Sequence, residues 1–233
     1  VTGGSWHAVS LSNGIETGRS AGTRLFGKEI VLWRDMSGVA HAWEDRCPHR
    51  GMRLSFGFVR GNQIACLYHG WQYDAEGQCR FIPAHPELKV PDSIRATTYQ
   101  CRERFGMVWM RTSPHATASD GPAIDERAVT PVRSIHVDRP CNTVIDALSA
   151  RGRILDEDVG LLSIPAGELP LLIAAQHYGE GRTALHIVID GAHAADGGAA
   201  QTAAATWAEQ IRLELESEAV AAAPSIAQPQ AVP

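Results

Sequence analysis

The sequence predicts a mainly β fold with an α+β C-terminal part, and three observations carry that reading. Short apolar runs alternate with turn residues over the first 112 positions, two Cys/His pairs fall at the turns, and one helical stripe stands near the end. At 233 residues the chain has room for one large or two small domains.

Residues 6–11 and 29–34 read as strands, and Asp35-Met36-Ser37-Gly38 turns the chain into a further strand at 39–43, which ends just before Cys47. Gln63-Ile64-Ala65 leads to Cys66, and Asp74-Ala75-Glu76-Gly77 reverses the chain beyond it. Both Cys/His pairs are therefore expected at hairpin tips. Pro83, Pro86 and Pro91 mark the exit from this region, and residues 97–101 and 105–111 supply closing strands. The small and polar stretch 113–128 is expected to link a first domain, 1–112, to a second, 129–221. In the second, residues 132–137, 171–175 and 183–190 read as strands, with 178–182 as a hairpin turn between the last two. Residues 200–221 read as a helix with Ala204, Trp207, Ile211 and Leu215 on its buried face. The Ala-, Pro- and Gln-rich tail, 222–233, is expected to be disordered.

The chemistry lies in Cys47-Pro48-His49-Arg50-Gly51 and Cys66-Leu67-Tyr68-His69-Gly70-Trp71. Each segment offers one thiolate and one imidazole, so Cys47, His49, Cys66 and His69 are the candidate cofactor and metal ligands. In a Rieske [2Fe-2S] centre two histidines bind one iron and two cysteines the other. Mixed Cys/His pairs suit loops that each touch both metals, whereas zinc fingers group like ligands. Zinc is the alternative that spacing alone leaves open. Pro48, Gly51 and Gly70 fit tight loops whose N–H groups turn toward sulfur. Tyr73 can add a hydroxyl donor, and Trp71 reads as packing beneath the loops.

CPHRG followed by C-x-x-HGWxYD resembles the Rieske domain of the non-haem iron oxygenases that hydroxylate rings or remove O- and N-methyl groups. Trp6-His7 and Phe105-Gly106-Met107-Val108-Trp109 resemble strands of that domain, so the likeness covers roughly residues 5–112. It implies a Rieske antiparallel β-sandwich with cluster-binding hairpin loops, followed by a reduced helix-grip-like sheet and a C-terminal helix. Cytochrome bc-type Rieske proteins carry an extra, disulfide-forming cysteine in each loop, and here those positions hold Met52 and Tyr68. Trp71 replaces their sulfur-directed serine, which implies a potential toward the reducing end of a range of about −150 to +300 mV.

The resemblance further implies a mononuclear iron held by two histidines and a carboxylate in the second domain. The family's D/N-x-x-H-x(3–5)-H motif is missing, since no histidine lies between His136 and His177. The chain's own mononuclear iron site is accordingly expected to be absent. A displaced site is the dissenting alternative: a four-residue loop at 179–182 would put His177 and His186 on one sheet face, with Asp158, Asp190 or His193 as further candidates.

The expected function is single-electron transfer from a reductase or ferredoxin toward a mononuclear iron on a catalytic oxygenase chain. The alternatives are a self-sufficient small oxygenase with an atypical iron site and a non-catalytic redox or assembly partner. The resemblance implies a homo- or hetero-oligomer, with a trimer as the family's arrangement. A formal charge of −5 gives no nucleic-acid footprint, and no apolar run is long enough to span a bilayer. The start carries no initiator Met and no secretory leader, and Cys79, Cys101 and Cys141 read as reduced, buried thiols. A soluble, cytoplasmic protein is expected.

Overall fold

A computed structural model describes residues 5–112, 125–192 and 198–222, the side chains of 218–222 excepted. Most of the expected linker (113–124), His193 and the expected tail from 223 onward lie outside the described residues.

The first part contains β1 (Trp6–Leu11), β2 (Ser20–Leu25), β3 (Lys28–Arg34), β4 (Ala40–Glu44), β5 (Phe58–Arg60), β6 (Gln63–Ala65), β7 (Gln72–Asp74), β8 (Cys79–Phe81), β9 (Thr98–Arg104) and β10 (Met107–Arg111). They form a six-stranded sheet in the order β1-β10-β9-β4-β3-β2 and a four-stranded sheet β5-β6-β7-β8, antiparallel throughout. Strand β3 explains how the two sheets meet. Ile30, Val31, Leu32 and Trp33 are all buried because both faces of the strand are covered. Val31 and Trp33 pack toward Ile64 and Tyr73 of the small sheet, while Ile30 and Leu32 join Val108 and Met110 on the opposite side.

Strand β2 was not expected, because Ser20-Ala21-Gly22-Thr23-Arg24 lacks apolar alternation; its partner β3 specifies it instead, through an unbroken register from Ser20↔Trp33 to Leu25↔Lys28. The hairpin turns at Phe26 and Gly27, both left-handed with φ of 51° and 78°, as a two-residue turn requires. A phenylalanine there carries strain of roughly 1 kcal/mol. Contacts hold it: the Phe26 N–H donates to the His177 carbonyl at 2.7 Å, and its ring lies 5.0 Å from His7 and 4.9 Å from His177.

The second part contains β11 (Val129–Val137), α1 (Cys141–Ser149), β12 (Arg153–Asp156), β13 (Leu161–Ala166), β14 (Leu169–Gly179), β15 (Arg182–Asp190) and α2 (Ala199–Ala222), with the sheet order β11-β15-β14-β13-β12. Helix α2 was expected. Helix α1 was not: it is a short helix that buries Cys141, Val144 and Leu148. Strands β12 and β13 also escaped, since Pro165 argues against a central strand. It is accommodated at the end of the β13–β14 hairpin, opposite Pro170, where two residues without N–H groups face each other.

One face of the five-stranded sheet, with Leu171, Ile173, Leu185 and Ile187, packs against both helices. The other face presents Leu172, Ala174 and Val188 to Trp6, Ala8, Met107 and Trp109 of the six-stranded sheet. The molecule is therefore layered as sheet on sheet on helices, and the two parts share the core between their facing sheets. Among the described residues no helix is long and apolar enough to cross a membrane.

Fully buried His186 pins that seam. Its Nδ1 is 2.8 Å from Ser134 Oγ and its Nε2 2.7 Å from Gln176 Oε1, and the Gln176 amide donates to the Arg24 carbonyl at 2.5 Å. The glutamine oxygen can only accept, so Nε2 carries the proton and Nδ1 accepts from the serine. Burial, then His136, holds His186 down at about 3, and burial, then His177, holds His7 at about 4. The unfolded chain takes up these protons as pH falls through about 6.5, while the folded chain resists until about 3–4. Their stabilisation is full above about pH 6.5 and declines below it. Urea unfolding should accordingly show a loss on the order of 2–4 kcal/mol between pH 7 and pH 5, and a flat profile would contradict the neutral, buried state of these two rings.

Candidate metal centre

The two Cys/His segments fold into the same turn. The Cys47 N–H donates to the Met52 carbonyl at 2.8 Å and the Gly51 N–H to the Cys47 carbonyl at 2.8 Å; the Cys66 N–H donates to the Trp71 carbonyl at 2.9 Å and the Gly70 N–H to the Cys66 carbonyl at 3.0 Å. Each turn thus runs C-x-x-x-G-x, and its glycine is left-handed, with φ of 74° at Gly51 and 69° at Gly70. A side chain would strain both positions. The histidine is the third residue of the first turn and the fourth of the second. This single offset is the origin of the C-x-H and C-x-x-H spacings.

The second turn caps the β6–β7 hairpin, and the first occupies the crossing from β4 to the small sheet. Asp45 fastens that crossing: its buried carboxylate accepts from the Ser55 N–H at 2.7 Å and the Ser55 hydroxyl at 2.6 Å. At Gly57 an added Cβ would lie 2.3 Å from the Ala65 carbonyl oxygen, so the chain passes where only glycine fits, one residue before Cys66.

The four expected ligands come together with sulfur inward and nitrogen outward. Cys47 and Cys66 are 2% and 3% exposed, side by side in the core formed by Trp33, Trp43, Leu54 and Tyr73. The Tyr73 hydroxyl is 3.1 Å from Cys47 Sγ. Burial, then Cys47, pushes the Tyr73 phenol far above its ordinary range, so it stays protonated and donates. Burial raises the Cys66 thiol and Cys47 raises it further, whereas the N–H groups of Tyr68 and His69 act the other way. Two thiols pressed together in apolar surroundings become thiolates only with a compensating cation. At the open end the His49 and His69 ring centroids are 4.7 Å apart. His49 is half-buried and His69 exposed. His49 lies flat on Trp71, at 4.2 Å and 6°, and Tyr68 tilts over His69 at 3.8 Å. This donor set suits a two-iron cluster that takes two thiolates at one iron and two imidazoles at the other. Cys79 is buried in the same core, with its thiol directed to the Phe81 carbonyl at 3.8 Å.

The C-terminal histidines do not converge. A common face for His177 and His186 required a four-residue loop; instead Gly179 pairs with Arg182, leaving Glu180-Gly181 as the turn. His177 pairs with Thr183 and His186 with Ala174, positions of opposite parity, so they belong to opposite sheet faces. Asp190 is paired with Arg127 at 3.0 Å, and Asp158 bonds through its N–H to Asp156. Outside the two Cys/His turns, no group of three or more His, Cys, Asp or Glu side chains stands together to hold a metal ion among the described residues.

Sequence reasoning identified the four residues and Tyr73 but missed the stack of Trp71 on His49, which joins the two turns. The repeated C-x-x-x-G pattern was the available signal: it makes Trp71 the closing residue of its turn, as Met52 is of the other.

The family model for the Rieske [2Fe-2S] domain matches residues 5–92. Among curated proteins the chain is 40% identical over 105 residues to Oxidoreductase NdmD of Pseudomonas putida, covering 45% of this chain and 18% of that one. It is 37% identical over 127 residues to 4beta-methylsterol monooxygenase of Methylococcus capsulatus, covering 52% and 34% respectively. Methylxanthine N1-demethylase NdmA of Pseudomonas putida is 31% identical over 132 residues, covering 51% and 37%. The solved structure of dicamba monooxygenase bound to dicamba aligns with a TM-score of 0.76 over 95% of this chain and 91% of that one. At 18% identity that likeness is one of fold, and it agrees with a β-sandwich followed by a reduced helix-grip-like sheet and closing helix. The chain spans about a fifth to about two fifths of the length of the curated relatives it matches here.

Proposed function

We propose, from the premise that residues 5–92 are a Rieske [2Fe-2S] domain, that this chain is a one-electron carrier of the oxygenase type, with Cys47, His49, Cys66 and His69 as its cluster ligands. The observation that carries the reading is the pair of identical turns presenting two buried sulfurs and two outward imidazoles. A bound [2Fe-2S] group supplies one-electron transfer there. Cys47 and Cys66 hold it from the core, and His49 and His69 from the surface. The Tyr73 hydroxyl donates to the Cys47 sulfur, and the exposed imidazole of His69 offers a contact for a redox partner.

The electron donor is a reductase or ferredoxin, and the acceptor a mononuclear iron on a catalytic oxygenase chain that hydroxylates or demethylates a small organic substrate. The relatives' names, a demethylase and a monooxygenase among them, support that class. We further propose domains at 1–112 and 129–221 joined by 113–128, assembly into a homo- or hetero-oligomer such as a trimer, and a cytoplasmic setting. The commitments of His177, His186 and Asp190 favour this reading over a self-sufficient small oxygenase. The test is an iron and acid-labile sulfide count with the electron paramagnetic resonance spectrum of the reduced protein, followed by turnover assays with a reductase. Two irons per chain, fast reduction and no product from this chain alone are expected. Oxygenated product without a third iron would sink the reading.

Tyr73→Phe should lower the midpoint potential by about 50 mV, because a hydrogen bond of about 1 kcal/mol to sulfur favours the reduced, more negative state. Protein-film voltammetry checks this, and an unchanged potential removes Tyr73 from the sulfur's surroundings.

A further inference from the structure

The two candidate histidines are held differently. The residue that closes each turn accepts the N–H of that turn's cysteine: Met52 in the first and Trp71 in the second. Trp71 does something more. Its indole crosses to the other turn and lies on the His49 ring at 4.2 Å and 6° from parallel, while the rest of its side chain packs against the core that contains both cysteines. Among the described residues, the ring neighbours of His69 are exposed Tyr68, tilted by 33°, and the edge of His49. A metal-bound imidazole can rotate about its metal–nitrogen axis, and a flat ring clamped against one face suppresses that rotation. We propose that Trp71 is a positioning residue that fixes the ring plane of His49 across the two turns, so that the imidazoles are inequivalent: His49 locked and His69 free to adjust.

The inference rests on the ligand assignment above, and the experiment separates the two. Pulsed paramagnetic resonance on the reduced, iron-loaded protein reads the couplings of the coordinating nitrogens. Two histidine nitrogens of unequal coupling are expected, one sharply defined and one distributed. Fewer than two would sink the ligand assignment itself. In Trp71→Leu the sharp coupling should shift and broaden to match the other, with iron content unchanged, and Trp71→Phe, which restores a flat ring, should recover most of the sharpness. Unchanged couplings in Trp71→Leu, or equal broadening of both, would overturn the proposal. If the leucine variant fails to load iron, Trp71→Met, which also lacks a flat ring but fills more of the site, decides instead: broadening confined to one nitrogen supports positioning, and no broadening, or broadening of both, overturns it.

Discussion

Cys66→Ser should yield a colourless protein whose iron falls from two per chain to essentially none, with its β-rich circular dichroism retained. Serine is nearly isosteric but supplies a poor ligand for iron, and the turn survives because its bonds run between backbone groups, from Cys66 N–H to Trp71 and from Gly70 N–H to Cys66. Cys47→Ser should do the same. The informative control is Cys79→Ser, because Cys79 is buried in the same core and its thiol is also raised by burial. Size, burial and neighbourhood are matched, so only ligation distinguishes Cys79 from Cys66. Iron retained in the Cys79 variant and lost in the other two identifies the sulfur ligands. Iron lost in the Cys79 variant but kept in Cys66→Ser would reverse the assignment, and zinc in the purified protein would replace iron–sulfur chemistry with a structural metal.

The second large effect belongs to the seam between the sheets. His186→Ala should destabilise the protein by about 3–5 kcal/mol, measured by urea or thermal unfolding at neutral pH. The substitution opens a cavity in a fully buried site and leaves the Ser134 hydroxyl and the Gln176 carbonyl without their partner. Gln176 also loses the restraint that aims its amide at the Arg24 carbonyl, the link to β2. Iron content should stay at two per chain, because the metal turns flank the small sheet, away from the five-stranded sheet that holds His186. A change below about 1 kcal/mol would show that the network is replaceable by water.

What the sequence made legible was whatever is encoded locally. The four ligand residues announce themselves because each pair sits within one turn, and β1, β10, β14 and β15 because their apolar runs lie between turn residues. The elements that escaped depend on distant partners. Strand β2 exists through its register with β3, α1 is a single short amphipathic stretch, and β13 carries a proline tolerated only because Pro170 faces it. The Trp71–His49 stack joins residues on separate loops, and the His186 network joins β11, β14, β15 and β2. Neither has a local signature.

The common core between the first and second parts has a mechanical corollary. Trp6, Met107 and Trp109 are covered from beyond the linker by Val159, Leu161, Leu172, Ala174 and Val188. Severing the chain at residue 112 would bare an oily wall of aromatic and aliphatic side chains, a surface prone to self-association. The cluster-binding first part is therefore expected to melt together with its C-terminal cover, as one cooperative body.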